Sequence, residues 1–223
     1  MTEILVVNYN DVINNIDDLK QYYEVVKPLV KRRMQEFKSL SEHATNNDIF
    51  RELVFCILTA NASAKMGLKS INALDHVIFD GSERDICNRL KGIYRFPYSR
   101  SNYIVRSRSF LIQCHNMDFH SLFAQFNGNV LDIREYLKTN VVGVGYKECS
   151  HFLRNIGFKG LAILDKHVIS MLNMLGCNVN KPKNKNEYKE IEQKMKDFAV
   201  QNGFDFDELD LVFWSFKTGE IIK

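Results

Sequence analysis

The sequence predicts an all-α protein. Helical periodicity recurs through most of the chain, no strand-type alternation of useful length interrupts it, and only three prolines (Pro28, Pro97, Pro182) break it. At 223 residues the chain can bury a real core, either as one domain or as two small lobes.

Taken in order, the stretch to about Gln21 is rich in Asn and Asp and too weakly patterned for an assignment. Lys31 to Leu40 reads as a basic amphipathic helix that Pro28 starts or kinks, followed by a loop, SEHATNN. Asp48 then caps a helix that is apolar nearly all round (Ile49, Phe50, Leu53, Val54, Phe55, Ile57, Leu58) and therefore belongs in a core. Asn61 to Ser63 ends it. Helices are expected at about 64–78, 83–91, 100–115, 118–126 and 130–139, with Ser82 and Asp118 as caps. Tyr146 to Ile156 forms the next helix, closed by Gly157. Asp165 precedes an apolar-periodic segment (Val168, Ile169, Leu172, Leu175) as its N-cap. The loop NKPKNKN leads to a helix at about 187–201, striped by Tyr188, Ile191, Met195 and Phe198, and Asp207 starts the last one.

Composition sets bounds. Hydrophobic content of 45% and charged content of 26% are those of a soluble globular protein, and a net charge of +3 alone argues little for nucleic acid. The distribution of charge argues more. From Arg89 to Arg108 there are six basic residues (Arg89, Lys91, Arg95, Arg100, Arg106, Arg108) and no acid, interleaved with Tyr94, Phe96, Tyr98 and Tyr103. Such a segment suits a surface that tracks a phosphate backbone. The five cysteines (Cys56, Cys87, Cys114, Cys149, Cys177) are odd in number, widely spaced and often in apolar context, which argues for reduced thiols and against disulfides or a zinc site. With no secretory signal pattern and no apolar run of membrane-spanning length, the expected place is the cytoplasm.

The most informative stretch is VVGVGYKECSHFLRNIG, Val141 to Gly157. Gly143 and Gly145 make a tight hairpin that leads straight into a helix, and such a turn aims unpaired backbone N–H groups outward as an anion site. Lys147 sits in that helix's first turn, against the usual charge preference of a helix start. The dipole, with partial burial, favours the neutral amine, which is a nucleophile. Asp165 follows eighteen residues after Lys147. A carboxylate held by backbone donors at a helix cap stays ionised and is able to sit beneath a developing positive charge.

Gly-Val-Gly-Tyr-Lys followed by the spaced Asp of LDKH resembles the helix-hairpin-helix superfamily of base-excision DNA glycosylases. More narrowly, GVGYKECSHFLRNIGF with AILDKHV, FCILTANAS, YRFPYSRSNYIV and the ending FWSFKTGEIIK is similar to the archaeal-type 8-oxoguanine DNA glycosylases. The resemblance extends from about Lys31 to Lys223.

That resemblance implies two helical lobes with the helix-hairpin-helix motif at a cleft between them: residues 46–157 as the central lobe, residues 1–45 with 158–223 as the second. It implies a bifunctional enzyme in which Lys147 attacks C1′ of the damaged nucleotide, expels the base as a Schiff base forms, and nicks the strand by β-elimination. Asp165 would stabilise the oxocarbenium-like state. A flipped base needs flat partners and hydrogen bonds, and the matching positions are Phe96 and Trp214 for the sandwich. Lys223 matches the final residue whose carboxylate accepts from N7–H of the lesion. Gly143, Gly145, His167 and Arg100 are the expected DNA contacts. No metal or organic cofactor is implied, the cysteines rule out the four-cysteine iron–sulfur loop of some relatives, and the partner is double-stranded DNA carrying 8-oxoguanine, bound by a monomer. Two rivals remain at this point: a glycosylase for another damaged base, and a non-catalytic helix-hairpin-helix module that grips phosphates alone.

Overall fold

The structure is a computed structural model that describes residues 3–9 and 12–223. Among them it holds twelve α-helices, one short 3-10 turn and a single pair of two-residue strands, so the all-α expectation holds. The chain divides into two compact units, residues 40–158 and residues 1–39 with 159–223.

In the unit of residues 40–158 the core is built on α2, Asn46–Thr59, in which Ile49, Phe50 and every residue from Glu52 to Thr59 are buried. Each fully buried Leu, Ile or Phe side chain there contributes about 1.5–3 kcal/mol. Its cap is Thr45, not Asp48: the Thr45 hydroxyl accepts the Asp48 N–H while the Asp48 carboxylate accepts the Thr45 N–H, a reciprocal box set three residues earlier than expected. Helix α3, Ala64–Leu74, starts at Ser63 and comes so close to α2 that a Cβ on Gly67 would meet Thr59 Cγ2 at 2.6 Å. The single helix expected at about 64–78 is broken after Leu74, where Asp75 takes φ 44°, and resumes as α4, Val77–Asp80. Then come α5, Glu83–Leu90, capped by Ser82, α6, Pro97–His115, and α7, Phe119–Ala124, capped by Asp118. Helices α8, Val130–Asn140, and α9, Tyr146–Asn155, flank the glycine hairpin. The buried Asn155 amide donates to Glu52 Oε1 at 2.6 Å, and Phe119 packs on Phe152, tying α9 to α2 and α7.

The other unit differs most from expectation at its start. Helix α1 is Ile16–His43, so it begins before Pro28 and absorbs the first three residues of the expected loop. Its buried stripe (Leu19, Tyr22, Tyr23, Val26, Val30, Arg33, Phe37) continues across Pro28, which lies on the exposed face where water can satisfy the carbonyl left without a donor. Helix α10, Lys166–Met174, and helix α11, Lys185–Asn202, follow. Asp205 caps a 3-10 turn at Phe206–Glu208, and α12 is Leu209–Thr218; Asp207, expected at the helix start, instead accepts the Gly160 N–H at 2.6 Å. The Tyr22 hydroxyl and Ser215 Oγ share a hydrogen bond of 2.8 Å, and Tyr23 donates to Glu208, so α1 is fastened along α12 and its lead-in. Burial drives the Tyr22 phenol up to about 12, so it stays protonated in this bond. Strand β1, Leu5–Val6, pairs antiparallel with β2, Glu220–Ile221.

Candidate active site

The hairpin is shaped from beneath by α6. Gly143 takes φ +88°, and a Cβ there would lie 2.5 Å from Tyr103 Cδ2, so both conformation and space demand glycine. One turn along α6, Ser107 Oγ donates to the Val142 carbonyl at 3.2 Å. Gly145 is different: its φ of −105° suits any residue, and it serves as the N-cap of α9.

Lys147 occupies the second position of α9. Its Nζ lies 3.1 Å from Glu148 Oε1, with the lysine side chain 26% exposed and the glutamate 15%. The other oxygen of that carboxylate, Oε2, accepts the Gly145 N–H at 3.0 Å. Glu148 therefore joins the turn to the amine through a single group. It also takes a donor that the sequence left open for phosphate, so Gly145 offers room for close approach but not its own N–H. Nothing in the local spacing beyond the i, i+3 relation of Gly145 and Glu148 signals this residue, and it was absent from the expected site.

The base of the hairpin is polar and buried. Arg134 of α8, fully buried, donates to Ser150 Oγ of α9 at 3.1 Å and lies 5.7 Å from the Tyr146 ring centre. Tyr146 donates to Glu135, and burial followed by that carboxylate raises its phenol to about 12. Burial also pushes the Cys149 thiol up, which keeps it protonated and inert as a nucleophile.

The basic segment of residues 89–108 separates into two kinds. Arg89, Lys91, Arg95 and Arg106 are exposed. Arg100 and Arg108 are buried and committed to backbone carbonyls: Arg100 to Ala60, with the Tyr94 hydroxyl at 3.3 Å, and Arg108 to Ile78 and Gly81. This burial argues for a structural role of Arg100 beside the DNA contact expected of it. Its guanidinium holds the turn after α2, where Tyr94 also donates to the Leu58 carbonyl at 2.7 Å. Phe96 has the opposite character. It is 39% exposed at the start of α6, with the Arg95 guanidinium 4.9 Å from its ring centre, so it is not a core filler.

In the second unit, Asp165 caps α10 as expected. Its Oδ1 accepts the N–H groups of both His167 and Val168 at 2.8 Å, behind a buried run from Leu161 to Leu164. The His167 ring stands edge-on to Trp214, 6.3 Å between ring centres. Burial lowers the His167 imidazole below its ordinary value, against the opposing pull of Asp165. Trp214 is only half-buried on a helix whose neighbouring residues Leu211, Val212, Phe213 and Ser215 are buried. Lys223 is half-buried directly after the fully buried Ile221 and Ile222. The sequence without the resemblance would have treated this end as frayed.

Among the described residues no helix is long and apolar enough to cross a membrane. The sequence profile of the 8-oxoguanine DNA glycosylase family matches residues 30–204. The chain is 36% identical over 217 residues to the 8-oxoguanine DNA glycosylase/AP lyase of Korarchaeum cryptofilum, covering 96% of this chain and 99% of that one. Among solved structures it is similar to the 8-oxoguanine DNA glycosylase of Thermotoga maritima, with a TM-score of 0.82 at 34% identity, covering 93% of this chain and 98% of that one. It is also similar to the Methanocaldococcus jannaschii 8-oxoguanine glycosylase/lyase in complex with a 15mer DNA containing 8-oxoguanine, with a TM-score of 0.84 at 32% identity, covering 93% and 99%. A profile spanning most of the chain and near-complete relatives above 30% identity leave one placement: this chain belongs to the 8-oxoguanine DNA glycosylase family.

Proposed function

We propose that the chain excises 8-oxoguanine from double-stranded DNA and then nicks the strand, acting on cellular DNA in the cytoplasm as a monomer. The observation that carries the mechanism is a lysine in the first turn of a helix that begins at a glycine hairpin, held by a single carboxylate that also closes the turn. In this reading Lys147 Nζ attacks C1′ and the N-glycosidic bond breaks, the base leaving with the bonding pair and taking up a proton. Loss of the amine proton and opening of the sugar ring give the imine. Removal of a C2′ proton then expels the 3′ phosphate by β-elimination. Only a primary amine supports this sequence.

Asp165, rigid because both of its cap bonds converge on one oxygen, supplies negative charge to the oxocarbenium-like state. Phe96 and Trp214 are assigned to the two faces of the flipped base, which accords with the exposure of the first and the half-exposure of the second. The carboxylate of Lys223 is assigned as the acceptor for N7–H, the hydrogen that distinguishes the lesion from guanine. Gly143 and His167 remain assigned to the DNA backbone.

The experiment for the base-reading assignment is to extend the chain by a few residues beyond Lys223 and measure single-turnover excision on a duplex with one 8-oxoguanine. Excision falls sharply if Lys223 reads the base. Unchanged excision contradicts that assignment.

A further inference from the structure

Strand β1 has no part in the assignments above and lies outside the residues matched by the family profile. It is nonetheless well anchored. Leu5 stands opposite Ile221 and Val6 opposite Glu220, and the Val7 N–H donates to the Gly219 carbonyl at 2.8 Å. Leu5, Ile221 and Ile222 are buried while Val6 is 63% exposed. Behind the strand, the buried Arg33 guanidinium of α1 donates to the Glu3 carbonyl. On the other side, α12 ends at Gly219 in the left-handed region, φ +73°, and the chain turns directly into β2. The segment from Trp214 to Lys223 is thus held at both ends, by the Tyr22–Ser215 bond at α12 and by β1 at the tail.

Chain ends are poorly ordered unless tied down, and an isolated two-stranded ribbon is marginal in water. The order of this tail therefore comes from β1 and the core beneath it. Register matters as much as order. A slip of one residue moves a strand by about 3.3 Å, which is as long as a whole hydrogen bond of about 2.7–3.2 Å. A Lys223 carboxylate displaced by that amount no longer lies within hydrogen-bond reach of the N7–H donor.

We infer that β1 is a positioning strand for Lys223: the pairing of Leu5 with Ile221 sets the reach of the tail and so determines discrimination between 8-oxoguanine and guanine. The inference rests on the base-reading role proposed for Lys223. Two variants test it, each on two duplexes, one with a single 8-oxoguanine and one with a preformed abasic site. Val7→Pro removes the donor to Gly219 without touching the core; Leu5→Ala empties the buried position opposite Ile221. The abasic duplex needs Lys147 and Asp165 but no base pocket, so it also reports whether the fold survives. Single-turnover excision of 8-oxoguanine is expected to fall about 100-fold, the scale of an ångström-sized misplacement, while nicking at the abasic site stays at the wild-type rate. Excision that is unchanged in both variants overturns the inference, and so does an equal loss on both duplexes. A wild-type protein that nicks the abasic site but leaves 8-oxoguanine in place refutes the proposed substrate itself, and the inference with it.

Discussion

Lys147 Nζ lies 3.1 Å from Glu148 Oε1, and Oε2 of the same carboxylate closes the hairpin on the Gly145 N–H. The amine is thus held by the group that also fixes the turn. Glu148→Gln keeps an oxygen for the Gly145 N–H and loses the charge, whereas Glu148→Ala loses both. The alanine variant should lose about 1 kcal/mol of stability through its cap and trap an abasic duplex more slowly than the glutamine variant. Thermal unfolding with single-turnover trapping checks this; equal trapping rates in wild type and both variants contradict it.

The two hairpin glycines should respond differently. Gly143→Ala meets a positive φ and a Cβ 2.5 Å from Tyr103, and should cost about 1–3 kcal/mol. Gly145→Ala has an ordinary φ and meets only the far end of the Glu148 side chain at 3.2 Å, and should cost under about 1 kcal/mol. Chemical denaturation of both variants measures the difference.

Arg100 should behave as a structural residue. Arg100→Gln gives up the charged donor to the Ala60 carbonyl and should lose about 1.5–3 kcal/mol of stability. The slope of log K against log salt for duplex binding should not change, whereas loss of a phosphate contact would reduce it by about 1. A reduced slope would restore the DNA contact expected from the sequence.

How legible the molecule was follows from where its information lies. The hairpin, the cap at Asp165 and the apolar helix α2 are local patterns, and each could be read from consecutive residues. The cost of Pro28 is local, so it reads as the start or a kink of a helix, while the stripe from Tyr22 to Phe37 that carries the helix across it is a property of the whole element. Strands β1 and β2 have two residues each and are joined by pairing across nearly the full chain, so no periodicity announces them. The charge of Arg100 was visible, but not that its carbonyl partner comes from another helix end. Glu148 was hidden in plain view, since a glutamate at the third position of a helix is ordinarily no more than a cap.

His167 gives a pH prediction. Its imidazole is held below the ordinary value by burial, so between that lowered value and about 6.5 the unfolded chain binds a proton that the folded chain does not. The stability contributed by the neutral ring is present above the unfolded value and lost as pH falls through the folded one. The stability advantage of wild type over His167→Asn should therefore shrink between about pH 7.5 and 5.5. Denaturation midpoints across that range check the sign; an advantage that grows on acidification contradicts it.

The most direct measurement is borohydride trapping on a duplex with a single 8-oxoguanine, comparing wild type with Lys147→Gln and Asp165→Asn. Wild type should give a covalent protein–DNA band, Lys147→Gln should give none while still binding the duplex, and Asp165→Asn should give a much slower one. A band that persists in Lys147→Gln, or a wild type that binds the duplex without forming one, would contradict the assignment of Lys147 as the nucleophile.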